Sequence, residues 1–412
     1  MALVHPFRAL RPTPAAAPRV AAVPYDVVNA DEAKAIAGDN PLSFLHVSRA
    51  EIDLPAGTDP YSPLVYAKAV ESFEWLIAAA PLVREERPSL YVYRLRMGTH
   101  EQTGLAACYS IDEYDRGLIK KHERTRPDKE DDRTRHILEL RAQTGPVFLT
   151  YHAHPPADAV MARTAREAPL FDFVAADSIR HTIWRVADTD VAPLVAAFAG
   201  IPALYIADGH HRAASAARAR RQVHEGGTSP AAHAHGPHAH ETFLAVAFPD
   251  RQMQILPYHR IVKDLAGRTP DEFLDALRGR ISVRDGQATP SGRGEVTMYL
   301  GGRWYAMTFP APAAGADRAA ALDVSRLQDE VLDALLHIKD VRTDKRIDFV
   351  GGIRGTAELQ RLVDGGLAAV AFSMHPVGID DLMAIADDGG IMPPKSTWFE
   401  PKLRDGLLIH VI

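Results

Sequence analysis

The chain has 412 residues, 46% of them apolar and 24% charged, with a net charge of −6. That length allows roughly two or three domains with real cores, and the acidic balance speaks against general nucleic-acid affinity, which needs a basic face. The single cysteine, Cys108, excludes an intramolecular disulfide, and its apolar run from Leu105 to Tyr109 marks it as a core residue.

In chain order, the prolines between 11 and 24 predict an extended arm, and Pro24-Tyr25-Asp26 reads as a proline-fixed turn that Asp26 closes or that aims Asp26 at a site. Ala67 to Ala80 predicts a helix with Val70, Phe73 and Ile77 on its apolar stripe. Leu90–Leu95 and Gly104–Ile111 predict two strands joined through Gly98-Thr99-His100-Glu101. Lys120 to Arg141 is densely charged and ends in a predicted helix over 133–141, and Gly145–Leu149 reads as a loop feeding a strand. Helices are expected near 157–168 and 188–199, then a strand over Ala203–Ala207 and a helix over Ala213–Val223. Residues 225–241 interrupt the pattern with glycines and His233, His235, His238 and His240, and read as a linker. A strand pair over Phe243–Phe248 and Met253–Leu256 follows, turning at 249–252. The last third predicts a helix at 270–278, strand pattern at 295–308, a linker from Pro310 to Ala316 and a helix from Ser325 to Leu336. Alternating strands and helices predict an α+β (mixed α/β) fold in three parts: 1–110, 111–260 and 261–412.

The strand at 203–207 runs into Asp208-Gly209-His210-His211-Arg212. A helix start carries unpaired N–H groups and a partial positive charge, so an anion can settle there. Gly209 lets a ligand approach the backbone, Asp208 is placed to cap the helix or ligate magnesium, and Arg212 presents a planar fork to phosphate oxygens. His210 and His211 can donate to phosphate or shuttle protons. Asp-Gly is also an ordinary turn, and surface His and Arg require no function.

The pentad resembles the signature of the ParB/sulfiredoxin-like fold, in the branch that includes free-serine kinases. Gly209 and Arg212 match the shared Gly-x-x-Arg. His210 stands where sulfiredoxins carry a reactive cysteine, which argues against sulfinic acid reduction. ParB proteins carry Glu and Arg where this chain has two histidines. Together with Pro24–Val28, His122–Thr125, Tyr205–Arg212 and Met392–Phe399, the pentad also resembles a large bacterial family of formerly unknown function whose members span this length. The resemblance implies a ParB/sulfiredoxin-like core with additional N- and C-terminal α/β elements.

Two further runs enter through that resemblance. Lys395-Ser396-Thr397, after Pro393-Pro394, is a phosphate-contact set without the glycine spacing of a P-loop. In His122-Glu123-Arg124-Thr125, Glu123 could take a hydroxyl proton while Lys121 or Arg124 meets phosphate; a charged run is otherwise a solvated face. The function implied is a kinase that phosphorylates free L-serine with ATP, ADP or pyrophosphate, using Mg2+. Asp208, Glu123 and His211 would be catalytic, with Asp208 as the metal ligand. Gly209, His210, Arg212, Lys121, Arg124, Lys395, Ser396 and Thr397 would hold the donor. A ParB-like nucleotide-binding regulator without turnover is the alternative, although no helix-turn-helix is evident. A metal-dependent hydrolase is a third reading, weakened because adjacent histidines point apart on a regular element. The N-terminus lacks signal-peptide features and no apolar run is long enough for a membrane span, so a cytoplasmic protein is expected.

Overall fold

The β-branched and aromatic alternation around Gly98 forms the expected hairpin: β2 (Tyr91–Met97) pairs antiparallel with β3 (His100–Ser110). This computed structural model describes residues 3–79, 82–225, 239–312 and 315–412. The chain divides into two units, one of residues 1–253 with 401–412 and one of residues 254–400.

In the first unit the hairpin sits inside a nine-stranded sheet. Its other strands are β1 (Val4–His5), β4 (Ile119–Lys120), β5 (Val147–Tyr151), β6 (Phe171–Val174), β7 (Arg180–Arg185), β8 (Leu204–Asp208) and β9 (Thr242–Pro249). The order is β4-β8-β5-β9-β3-β2-β7-β6, with β1 paired to β3. Two pairs are parallel, β8 with β4 and β9 with β5. Strands buried on both faces read as continuous apolar runs, as Leu204–Ala207 and Phe243–Phe248 do. Cys108 lies on β3 at 1% exposure, where burial pushes its thiol pKa up.

Helices α1 (Pro63–Ala79), α2 (Pro127–Leu140), α3 (Pro155–Thr164), α4 (Asp188–Ala199) and α5 (His210–Glu225) accompany the sheet. Ile137, Met161, Phe198 and Ala213 from the last four share one apolar cluster with Leu149 and Ile206 of the strands. A second cluster gathers Phe44, Phe73, Leu76 and Ile409. In α1 the buried stripe is Val65, Ala69, Phe73 and Leu76; of the expected residues Phe73 is buried, Val70 packs partly buried against the second cluster and Ile77 is exposed, and Ala80 lies outside the described residues. Helix α2 begins six residues earlier than its apolar pattern, because Pro127 is suited to a first helical position and Asp128 and Glu130 complement the dipole. The arm near 11–24 contains a short strand, Leu10–Pro12, and one helical turn, Ala17–Val20, which corrects the fully extended expectation.

The second unit carries β10 (Tyr258–Val262), β11 (Ser282–Asp285), β12 (Glu295–Leu300), β13 (Arg303–Thr308), β14 (Ile347–Gly351) and β15 (Val370–Ser373) in the order β11-β13-β12-β15-β10-β14. The strand pattern at 295–308 is a hairpin turning on Gly301-Gly302, both at positive φ. Ile255–Leu256 does not return onto β9 as expected; it pairs with Trp398–Phe399 inside this unit. Arg346 pairs with Asp344 at 2.7 Å. His233, His235 and His238 fall outside the described residues, as do residues 313–314 of the expected 310–316 linker.

The expected breaks at 110 and 260 therefore differ from the observed ones. Ser110 ends a strand in the middle of the first sheet, and residues 401–412 return to the first unit, where His410–Val411 pair with Ala142–Gln143 and Ile409 bridges Leu10. The mixed α/β class holds throughout. Among the described residues no helix is long and apolar enough to cross a membrane.

Candidate active site

Strands β4 and β8 are parallel neighbours, with Leu204 opposite Ile119 and Tyr205 opposite Lys120. Their C-terminal ends therefore open on the same side of the sheet, and the segments that leave them, Lys121–Arg124 and Asp208–Arg212, emerge together. The register of β8 against β5 shifts between Ile206 and Asp208, a bulge that re-aims the last residue of the strand. Gly209 then turns at φ +93, and α5 starts at His210. A Cβ on Gly209 would lie 2.9 Å from Nε of Arg212, so glycine is required both for the turn and for the space that Arg212 occupies.

The two histidines diverge. His210 accepts from the backbone N–H of His122 through Nε2 at 3.4 Å, and the two rings meet edge to face at 4.4 Å. His211 accepts from the backbone N–H of Arg126 through Nε2 at 3.0 Å. Both imidazoles thus hold the 122–126 segment against the helix start. His122 and His210 are 2% and 6% exposed. Burial lowers the His122 pKa to about 4, against smaller opposing effects of Ile206 and Asp208. Burial, reinforced by His122, also holds His210 well below its usual value. The neutral imidazole is thus the favoured form of His210, which would meet a phosphate as an uncharged donor.

Asp208 is engaged on every side. Its Oδ1 accepts from Gly209 N at 2.9 Å, its Oδ2 lies 3.1 Å from Lys402 Nζ, and Arg212 Nη2 is 3.6 Å away. Burial pushes the carboxyl pKa up, but Lys402 and Arg212 outweigh it and hold the group below the carboxylate range. In this structure Asp208 is therefore an ion-paired anchor of the turn, and a magnesium ion on it would have to displace Lys402. Arg212 is buried, donates to the Pro146 carbonyl through Nη1, and has no hydrogen-bond partner at Nε. Burial lowers its pKa, but Asp26 first, then Asp208 and Asp405, raise it above the ordinary value.

Glu123 is half-buried, and one of its carboxylate oxygens comes within 4.8 Å of a ring nitrogen on each of His122 and His210. These three are the metal-capable residues here, since neutral imidazoles and a carboxylate can coordinate a divalent ion. Nδ1 of His122 is buried with no hydrogen-bond partner. Lys121 Nζ sits 3.6 Å over the Tyr114 ring, and burial lowers its pKa, so its ammonium is directed at an aromatic face. Arg124 is exposed.

Lys395, Ser396 and Thr397 belong to the second unit. Lys395 is exposed at φ +58, its carbonyl accepts from Arg260 Nη2 at 3.0 Å and its ammonium lies 5.4 Å from the Tyr258 ring centre. Ser396 Oγ donates to the Pro393 carbonyl at 2.6 Å, and Thr397 is half-buried.

Sequence reasoning missed Lys402 and Asp405. Asp405 lines a small cavity of about 30 Å³ with Arg212, Tyr25, Arg133 and His136, room for a water or two. Burial raises its carboxyl pKa to about 7, with Arg212 pulling it down and Asp26 pushing it further up. Neither residue had a local signal, because Lys402 reaches Asp208 across 194 positions of sequence.

The family described as "Protein of unknown function (DUF1015)" matches residues 4–325. The chain belongs to this family. No curated protein matches it. Among solved structures, a conserved hypothetical protein from Pyrococcus furiosus is 14% identical, with 74% of this chain and 94% of that one covered at a TM-score of 0.36. A free serine kinase in complex with AMP is 11% identical, with 73% and 91% covered at 0.37. SbnI with a C-terminal truncation, from Staphylococcus aureus, is 12% identical, with 73% and 85% covered at 0.38.

Proposed function

We propose that this member of the family is a small-molecule phosphotransferase that phosphorylates the hydroxyl of free L-serine, giving O-phosphoserine, with ATP, ADP or pyrophosphate as donor. The observation that carries the reading is a pair of buried polar atoms without a hydrogen-bond partner, Arg212 Nε and His122 Nδ1, on the two segments that leave the parallel strands β8 and β4. Leaving a buried polar atom unpaired costs about 1–3 kcal/mol, and an anionic ligand with its own donors and acceptors relieves that cost. The DGHHR resemblance supplies serine as the acceptor.

In this reading the donor phosphates lie at the N-terminus of α5, against the backbone after Gly209 and the Arg212 guanidinium. The serine Oγ attacks the terminal phosphorus and its proton passes to Glu123. The bridging P–O bond breaks, and the leaving phosphate keeps the electron pair. Glu123 takes the base role because Lys402 and Arg212 lower the proton affinity of Asp208. His211 positions the 122–126 segment through Arg126 N. Magnesium carried in on the donor would neutralise phosphate charge. For Lys395, Ser396 and Thr397 the support is the resemblance of their run alone.

The test is a donor panel. Purified protein with magnesium and L-serine is incubated separately with ATP, ADP and pyrophosphate, and O-phosphoserine is read by mass spectrometry. Product with at least one donor is expected. Tight nucleotide binding with no product from any donor would overturn the kinase reading in favour of a nucleotide-binding regulator.

A further inference from the structure

The far end of α5 carries a second cluster. Its last turn presents His224, and the one-turn segment Ala239–Glu241, just before β9, presents His240 and Glu241. His224 Nε2 lies 2.7 Å from Glu241 Oε1 and 3.2 Å from His240 Nε2, and His240 Nε2 lies 3.4 Å from the same carboxylate oxygen. Zinc bonds to nitrogen and oxygen of about 2.0–2.1 Å make the edges of a tetrahedron about 3.3 Å long. The three ligand atoms form a triangle close to that size. The rings stand at 89° to each other, so both Nε2 atoms reach the shared point without stacking.

The scaffold is built around these atoms. The other oxygen of Glu241 is held by Arg220 Nη1 at 3.3 Å, which fixes the carboxylate. Arg220 is itself paired with Asp115 at 2.7 Å, so its charge is offset where a cation would bind. The Ala239 carbonyl accepts from Thr242 Oγ1 at 3.1 Å and lies 2.8 Å from His410 Nε2, pinning the turn that carries His240 and Glu241. Two imidazole nitrogens 3.2 Å apart converge on one carboxylate oxygen, the arrangement that a shared cation would hold together.

We propose that His224, His240 and Glu241 form a site for a divalent transition metal, with zinc as the ion the donor set fits best. Two neutral imidazoles and one carboxylate, with a fourth position open beside the half-exposed His224, match the ligand type and number of zinc sites that keep a water ligand. The site is separate from the phosphate site: α5 spans 16 residues, which places its two ends roughly 22 Å apart. The bound ion ties the end of α5 to the start of β9 and so fixes where the chain between them leaves and returns.

The test is competition between the metal-stripped full-length protein and a chromophoric zinc chelator. Wild type is expected to bind one tight equivalent of zinc and to melt at a higher temperature with it. The double variant His224→Gln, His240→Gln is expected to weaken that equivalent at least 100-fold and to abolish the zinc-induced rise in melting temperature. Its melting temperature without zinc reports whether it folds. A triple variant with glutamine at His233, His235 and His238 is expected to keep the tight equivalent. Three results overturn the proposal: the equivalent survives the double variant, it disappears with the triple variant, or it is lost in His122→Gln instead.

Discussion

The ammonium of Lys402 lies 3.1 Å from Oδ2 of Asp208, joining the returning segment 401–412 to the residue that opens the DGHHR turn. This contact, with Arg212, favours the ionised form of Asp208.

Replacing Lys402 with methionine leaves Asp208 with Arg212 alone at 3.6 Å. A largely buried carboxylate that loses a close cation should cost about 2–3 kcal/mol of stability. The pH dependence has a definite sign. Asp208 has a folded pKa below its unfolded value near 3.9, so its contribution is present above that value and is lost as pH falls. Urea unfolding should show the deficit of the variant in full at pH 7 and shrinking below pH 4. An equal deficit at pH 7 and pH 3 would show that packing, not charge, holds the pair.

Asp405 makes the opposite prediction. Its folded pKa of about 7 lies above the unfolded value, so its contribution is full below about pH 4 and is lost as pH rises through 7. Asp405→Asn cannot ionise. Relative to wild type, it should gain about 2 kcal/mol in unfolding free energy between pH 5 and pH 8. A difference that stays flat with pH would remove Asp405 from the buried charge network around Arg212.

Gly209 and Arg212 should fail together. Gly209→Ala forces a side chain into φ +93 and against Arg212 Nε, which should cost about 1–3 kcal/mol and displace the guanidinium. Arg212→Lys keeps the charge but loses the fork that reaches Pro146 and Asp208. Both variants should weaken pyrophosphate binding at least tenfold by calorimetry. If Gly209→Ala binds like wild type while Arg212→Lys does not, the turn is needed for folding alone.

Much of this architecture was legible in the sequence. The hairpin around Gly98 and the strand-turn-helix at 203–223 follow from alternation, glycine placement and apolar runs. The pairing of the His122–Thr125 run with the pentad was not legible without the resemblance. It depends on β4 lying parallel to β8, a relation between segments more than 80 residues apart with no local signature. The same holds for Lys402 and Asp405, whose partners are set by the return of the chain at 401–412. Local chemistry also left out the partner of Asp208: beside a helix start it reads as a ligand or base, and its ion pair with the distant Lys402 has no local signal. His210 was read as a phosphate contact for the same reason, before its burial against His122 was visible.

The most direct measurement compares wild type with Glu123→Gln, which preserves shape and removes the base. Donor affinity is taken from calorimetry with pyrophosphate and ADP, and turnover from O-phosphoserine formation under saturating serine. The account expects donor dissociation constants within about threefold of wild type and a kcat lowered at least 100-fold, the range that general-base catalysis supplies. A variant that turns over at the wild-type rate, or one that loses donor binding and turnover in equal measure, would contradict the assignment of Glu123 as the group that takes the serine proton.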